Sequence, residues 1–291
     1  IVPRNLAMNS STVFLTSLVA DYGAAPAFVE RTYGEPLFHT ESEVSALRYA
    51  PDETLWTIEE AGLLRHWSSD GHLLERDFLS DLEDLWLFNH DASLLCSGTN
   101  DIALWSPANA KELARVETDS WVTAFAFSPD GRMLVSGHDD GLIRFWKLPN
   151  LELVGELEAH ADAVSALTFS PNGQELTSGS DDHLIRIWNV EARTLISEWR
   201  GHSDRIPALA WHPNGDFLIS IGWDTTARVW EPGKADAAML LNAHSDQVNT
   251  LAFSNEGLLA CADSDFVVHV WADPRQAKPK FILRGHTDEI R

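Results

Sequence analysis

The chain has 291 residues, is 44% hydrophobic and carries a formal net charge of −23 from 44 acidic and 21 basic side chains. That apolar content suits a folded globule, while the acidic balance argues against a nucleic-acid binder, which needs a basic footprint to grip phosphates. The longest apolar stretch, around Thr12 to Ala20, falls well short of the roughly eighteen residues of a membrane-spanning helix, and two cysteines, Cys96 and Cys261, are too few for a disulfide framework or a zinc cluster.

Taken from the N-terminus, LAMNSSTVFLTSLVAD at 6–21 aligns without gaps on LAWHPNGDFLISIGWD at 209–224, with Leu6, Ala7, Phe14, Leu15, Ser17 and Asp21 matching their counterparts. APAFVE then predicts a third strand and GEPLFH a short fourth. From His39 the pattern sharpens. One unit closes on Trp67, and LLCSGTNDIALW closes the next on Trp105 with a turn two residues shorter than elsewhere. SGHDDGLIRFW at 136–146, SGSDDHLIRIW at 178–188, SIGWDTTARVW at 220–230 and CADSDFVVHVW at 261–271 follow. The unit around Trp188 is the easiest to resolve. AVSALTF alternates with period two, as a strand does. SPNG is a tight turn, in which Pro fixes φ and Gly supplies a positive φ. QELTSGS, LIRIW and ARTLISEWR are three further strands.

Three markers keep one phase. The closing tryptophans Trp67, Trp105, Trp146, Trp188, Trp230 and Trp271 are separated by 38, 41, 42, 42 and 41 residues. The turns FSPDG, FSPNG, WHPNG and FSNEG lie at 127–131, 169–173, 211–215 and 253–257, and His160, Gly201-His202, His244 and Gly285-His286 recur every 42. With these markers the chain resembles the WD40-repeat family, whose signature is Gly-His followed by Trp-Asp at a period of about 40–45 residues. It departs at the last position, where Lys147, Asn189, Glu231 or Ala272 follows the Trp. The resemblance implies an all-β, seven-bladed propeller of four-stranded antiparallel blades, because one blade cannot bury both faces alone. A single domain over 1–291 is expected, with blades at about 1–38 (degenerate), 39–79, 80–117, 118–158, 159–200, 201–242 and 243–284. Residues 285–291 either close the ring or begin a further repeat. The start at Ile1 without Met and the unfinished repeat at Arg291 suggest flanking chain.

His160, Ser178, Asp182 and Trp188 contain the residue types of a catalytic triad, but they recur. His202, Ser220, Asp224 and Trp230 repeat them. His244, Asp265 and Trp271 do so with Cys261 for Ser, and Ser136, Asp140 and Trp146 do so with Thr118 in the His position. An enzyme needs its nucleophile once, so the set is read as a buried hydrogen-bond network, as the resemblance also implies. Blade two has His39 and Thr57 in phase but Glu60 and Ala61 where the Asp belongs, and blades one to three are expected to be the least rigidly held. Outside the repeat phase, His66, His72, His90, His138, His183, His212 and His269 show no metal-ligand spacing, so no catalytic residue, metal or cofactor is expected.

Function is then expected from what decorates the scaffold. In propellers of this kind two positions per blade face partners on the narrow side. One lies just before the inner strand: Glu43, Trp121, Ala163, Arg205 and Gln247. The other precedes the network Asp: Ala20, Asp139, Asp181, Trp223 and Ser264. Tryptophan and arginine dominate binding hot spots. The expected function is a non-catalytic scaffold anchoring a protein or peptide on Trp223, Trp121 and Arg205, with Asp139 and Asp181 favouring basic groups. The alternatives are a sensor domain controlling an attached NTPase or protease, and an enzyme with its site in the propeller channel. Free thiols in apolar strands point to a reducing, cytoplasmic setting.

Overall fold

The computed structural model describes residues 44–284, apart from 60–61, 80–84, 235, 238, 242–243, 255 and 277. The expected first blade, His39, Glu43, the Glu60-Ala61 step and residues 285–291 lie outside the described residues. Within them the chain is a β-propeller of six four-stranded antiparallel sheets, each built from strands consecutive in sequence. Blade two holds β1 (Val44–Tyr49), β2 (Leu55–Glu59), β3 (Leu63–Trp67) and β4 (Leu73–Phe78). Blade three holds β5 (Leu85–Phe88), β6 (Leu95–Gly98), β7 (Asp101–Ser106) and β8 (Lys111–Glu117). Blade four holds β9 (Val122–Phe127), β10 (Met133–His138), β11 (Leu142–Lys147) and β12 (Glu152–Glu158). Blade five holds β13 (Val164–Phe169), β14 (Glu175–Ser180), β15 (Leu184–Asn189) and β16 (Thr194–Arg200). Blade six holds β17 (Ala208–Trp211), β18 (Leu218–Ile221), β19 (Ala227–Trp230) and β20 (Met239–Leu241). Blade seven holds β21 (Val248–Phe253), β22 (Leu259–Asp263), β23 (Val267–Trp271) and β24 (Phe281–Arg284).

The turns do what their residues require. In FSPDG the Ser128 hydroxyl donates to Asp130 (2.7 Å) and accepts from the Met133 N–H (2.9 Å), while Gly131 N–H closes the turn on Ser128 O with φ at +68°. Ser170, Asn172 and Gly173 repeat the device one blade later, with φ at +72° on the glycine. A side chain at either glycine would be strained there.

The core lies between blades rather than within one. Val135, Ile143 and Phe145 of blade four pack with Val164, Leu176 and Trp188 of blade five. Ile185, Ile187 and Trp199 of blade five pack with Ile206, Leu209 and Trp230 of blade six. The contact is close enough to dictate small residues on the second strand. A β-carbon on Gly179 would sit 2.8 Å from Ile206 Cγ2, and one on Gly137 would sit 2.6 Å from Val164 Cγ1. Polar stitches cross the same seam. Thr123 Oγ1 donates to Val164 O (2.7 Å) and Ser165 Oγ donates to Ile206 O (2.8 Å). The seam excludes water, so each stitch satisfies a carbonyl that would otherwise be costly to bury. The fourth strands face outward; every residue of β4 is exposed.

Candidate functional site

Two arrangements recur from blade to blade. The first is the internal network. In blade five, Trp188 Nε1–H donates to Ser178 Oγ (2.9 Å), Ser178 Oγ lies 2.7 Å from His160 Nε2, and His160 Nδ1 lies 3.0 Å from Asp182 Oδ2. Asp182 also accepts from the Ala161 and Leu184 backbone N–H groups (3.2 and 3.0 Å) and from Arg186 (3.2 Å). An imidazole that donates from Nδ1 to the carboxylate presents Nε2 as an acceptor, so the polarity runs Trp to Ser to His to Asp. Blade six repeats it: Trp230 to Ser220 at 2.7 Å, Ser220 to His202 at 2.6 Å and His202 to Asp224 at 2.9 Å. Burial opposes charge on Asp182 and Asp224, but the partnering histidine, backbone N–H groups and, at Asp224, the Thr226 hydroxyl together outweigh it and hold both carboxyls well below the ordinary range. Burial pushes the His202 pKa down. The geometry is static and internal, and the same set stands in neighbouring blades.

Elsewhere the arrangement departs from the sequence expectation. In blade four the histidine comes from within the sheet. His138 Nε2 lies 2.8 Å from Ser136 Oγ, which accepts from Trp146 (2.8 Å), while Ser120 Oγ lies 3.2 Å from His138 Nδ1. His138 therefore belongs to the network, contrary to its reading as an out-of-phase residue. Residues 136 and 138 share one face of β10, because strand side chains alternate. Asp140 holds Arg144 (3.2 Å) and the Leu142 N–H (3.0 Å) instead of an imidazole. Thr118 Oγ1 donates to Ser120 O (2.9 Å). Blades two and three hold the first step, Trp67 to Thr57 and Trp105 to Ser97, each at 3.0 Å.

Blade seven corrects the expectation for Asp265. His244 Nδ1 is 3.0 Å from Asp263 Oδ2, not from Asp265, which instead accepts from Ser245 (2.5 Å) on the exposed turn. Cys261 replaces the hub hydroxyl, and Trp271 Nε1 and His244 Nε2 are buried without a hydrogen-bond partner among the described residues. His269, which spacing leaves unassigned, enters this cluster: His244, Asp263 and His269 each offer a ligand atom within 4.8 Å of the others. The signal available in sequence was that 261, 263 and 269 lie on facing positions of two paired strands.

The second arrangement is a row of rungs at one end of the blades. Asp139 N–H donates to Trp121 O (3.0 Å), Asp181 to Ala163 O (3.0 Å), Trp223 to Arg205 O (3.0 Å) and Ser264 to Gln247 O (2.9 Å). The two positions expected to face partners are thus held side by side in each of these four blades. Trp121 is 65% exposed, and its backbone N–H donates to Asp139 Oδ1 at 3.0 Å. Trp223 is half-buried and the Arg205 guanidinium lies over its ring, 5.0 Å from the centroid. Arg205 Nε also sits 3.1 Å from Asp181 Oδ1, bridging blades five and six. Asp181 is therefore already matched to a cation within the molecule, which leaves Asp139, among the two, as the exposed acid of the row.

No helix among the described residues is long and apolar enough to cross a membrane. The family model described as WD domain, G-beta repeat, matches residues 111–147, 151–189, 193–231 and 237–272. Each match opens at or just before the outer strand of one blade (β8, β12, β16 or β20) and closes after the third strand of the next, so the sequence repeat and the sheet are offset by one strand. These matches span about half of the chain, and with the propeller architecture they place it in the WD40-repeat family, whose members generally serve as non-catalytic platforms for proteins or peptides.

Proposed function

We propose that the protein is a non-catalytic interaction module that takes a peptide or protein segment across the row formed by Trp121, Asp139, Asp181, Arg205, Trp223, Gln247 and Ser264. One observation carries this reading: the backbone rungs pair the two positions in blades four to seven and so fix a line of side chains with the blade period. Along that line stand an exposed indole at Trp121 and the Arg205–Trp223 stack, the residue types that anchor interfaces. Asp139 and the overall charge favour basic groups in the partner. The same reading takes 1–291 as one ring with residues 1–38 as its degenerate first blade, and takes the two free buried cysteines as a sign of a reducing, cytoplasmic setting.

The test is affinity capture from the source extract, identification of the bound protein, and titration of that protein against Trp121→Ala and against the double variant Arg205→Ala, Trp223→Ala. Loss of at least tenfold in affinity with an unchanged melting curve supports the reading. Equal affinity for wild type and double variant overturns the assignment of the row.

A further inference from the structure

Blade seven differs from its siblings at three positions that touch one another. The hub hydroxyl is Thr57, Ser97, Ser136, Ser178 or Ser220 in the other described blades and Cys261 here. The cross-strand partner of that hub is Arg65, Arg144, Arg186 or Arg228 in four of them, Ala103 in blade three and His269 here. Two residues beyond the hub stand His138, Ser180 and Gly222 in blades four to six, Glu59 in blade two, Thr99 in blade three, and Asp263 here.

Blade two shows what a buried acid at that position requires. Glu59 is fully buried and lies 3.2 Å from Arg65, a permanent cation on the paired strand. Asp263 is equally buried, yet the residue that takes the place of Arg65 on the paired strand is an imidazole, His269. Its carboxylate accepts from His244 Nδ1 (3.0 Å) and the Val267 N–H (3.2 Å), and His269 Nδ1 is 3.8 Å away. No Lys or Arg forms an ion pair with Asp263 among the described residues. His244, Asp263 and His269 each present a ligand atom within 4.8 Å of the others. A buried carboxylate facing two imidazoles has no fixed cation among the described residues to balance it.

We propose that His244, Asp263 and His269 form a site for a divalent cation of the zinc class. Nitrogen and carboxylate donors on three separate segments suit that ion, which takes His N and Asp O at about 2.0–2.2 Å and closes its shell with a further ligand. The present separations, 3.0 and 3.8 Å from the Asp263 oxygen to the two imidazole nitrogens, are close to the edges of such a polyhedron. The ion would tie β22, β23 and the approach to β21 together, replacing the Ser-His-Asp connection that Cys261 interrupts. The fourth ligand is a water or the sulfur of Cys261.

The experiment uses the full chain, stripped with a chelator and titrated with Co2+ and then Zn2+, each alone. The expected result is one equivalent of Co2+ with intense visible ligand-field bands, displaced by Zn2+, and a higher melting temperature with Zn2+ than with chelator. A charge-transfer band in the near ultraviolet would add Cys261 to the ligands; its absence would assign the fourth position to water. His269→Arg restores the residue of blades four to six and is expected to fold, keep its melting temperature in chelator and lose the bands. Asp263→Asn serves as a second variant should that one misfold. Weak, hexaaquo-like absorption from the wild-type chain, or equal uptake by wild type and either variant, overturns the proposal.

Discussion

Replacing Ser178 by Ala removes the one hydroxyl that both Trp188 and His160 use. Trp188 Nε1–H donates to it at 2.9 Å and His160 Nε2 lies 2.7 Å away, all in a region without water access. The substitution leaves an unpaired donor and an unpaired acceptor, at about 1–3 kcal/mol each. Because both sit on one atom, their costs overlap, and a total of about 2–4 kcal/mol is expected. Ser97→Ala is the internal comparison. Among the described residues Ser97 serves Trp105 alone (3.0 Å), so its loss strands one group and costs roughly half as much. For a domain of this size class the Ser178 variant then melts about 5–12 °C below wild type. The assay is thermal and urea unfolding followed by circular dichroism and tryptophan fluorescence, with both variants beside wild type. If Ser178→Ala lies within about 0.5 kcal/mol of wild type, the range of an ordinary surface change, or equals Ser97→Ala, the chain of bonds through the hub contributes nothing beyond the first step.

Stability should also fall on acidification through a window set by buried histidines. Burial, and next Arg144, lower the His138 pKa from 6.5 to about 4. The unfolded chain therefore binds the proton that the folded one refuses. Stability is complete above pH 6.5 and declines as the pH drops towards 4, the direction shared by His202 and His244. A melting temperature unchanged between pH 7.5 and pH 5 would contradict this. Gly179→Ala places a methyl group 2.8 Å from Ile206 Cγ2 and should cost about 1–3 kcal/mol by overpacking. Ile206→Ala removes Cγ2, so the double variant should cost less than the sum of the two single ones, and a purely additive pair in urea unfolding would locate the strain elsewhere.

The blade period was legible because three markers of different chemistry hold it: tryptophans that fill the gaps between sheets, Ser-Pro-Gly turns that need fixed φ values, and histidines that need a serine and an aspartate at fixed distances. The Asp182 and Asp224 bonds could be read from spacing for that reason. His138 and Asp263 could not. Each stands two residues beyond a hub, on the same side of its strand, and reaches the site from there, so a search by 42-residue phase passes over it. Asp265 was misread by the same habit. It keeps its place in the repeat, but the preceding turn offers it Ser245, and Asp263 has already taken the imidazole. The stacking of Arg205 over Trp223 was invisible because it depends on the rung that brings residues eighteen apart in sequence to adjacent places.

The one-strand offset between repeat and sheet bears on how such a chain can lengthen or be cut. A duplicated repeat inserted at a family boundary hands its first strand to the sheet already waiting there, and its last three strands receive their fourth from the repeat downstream. Every sheet stays four-stranded whichever copy is the newcomer, so duplication is a safe way to widen the ring. Truncation is not. A stop codon after residue 231, at the end of the third matched repeat, removes β20 from blade six and leaves β19 as a bare edge ready to pair with another molecule. The offset that welds neighbours together therefore makes a shortened product prone to aggregate rather than merely smaller.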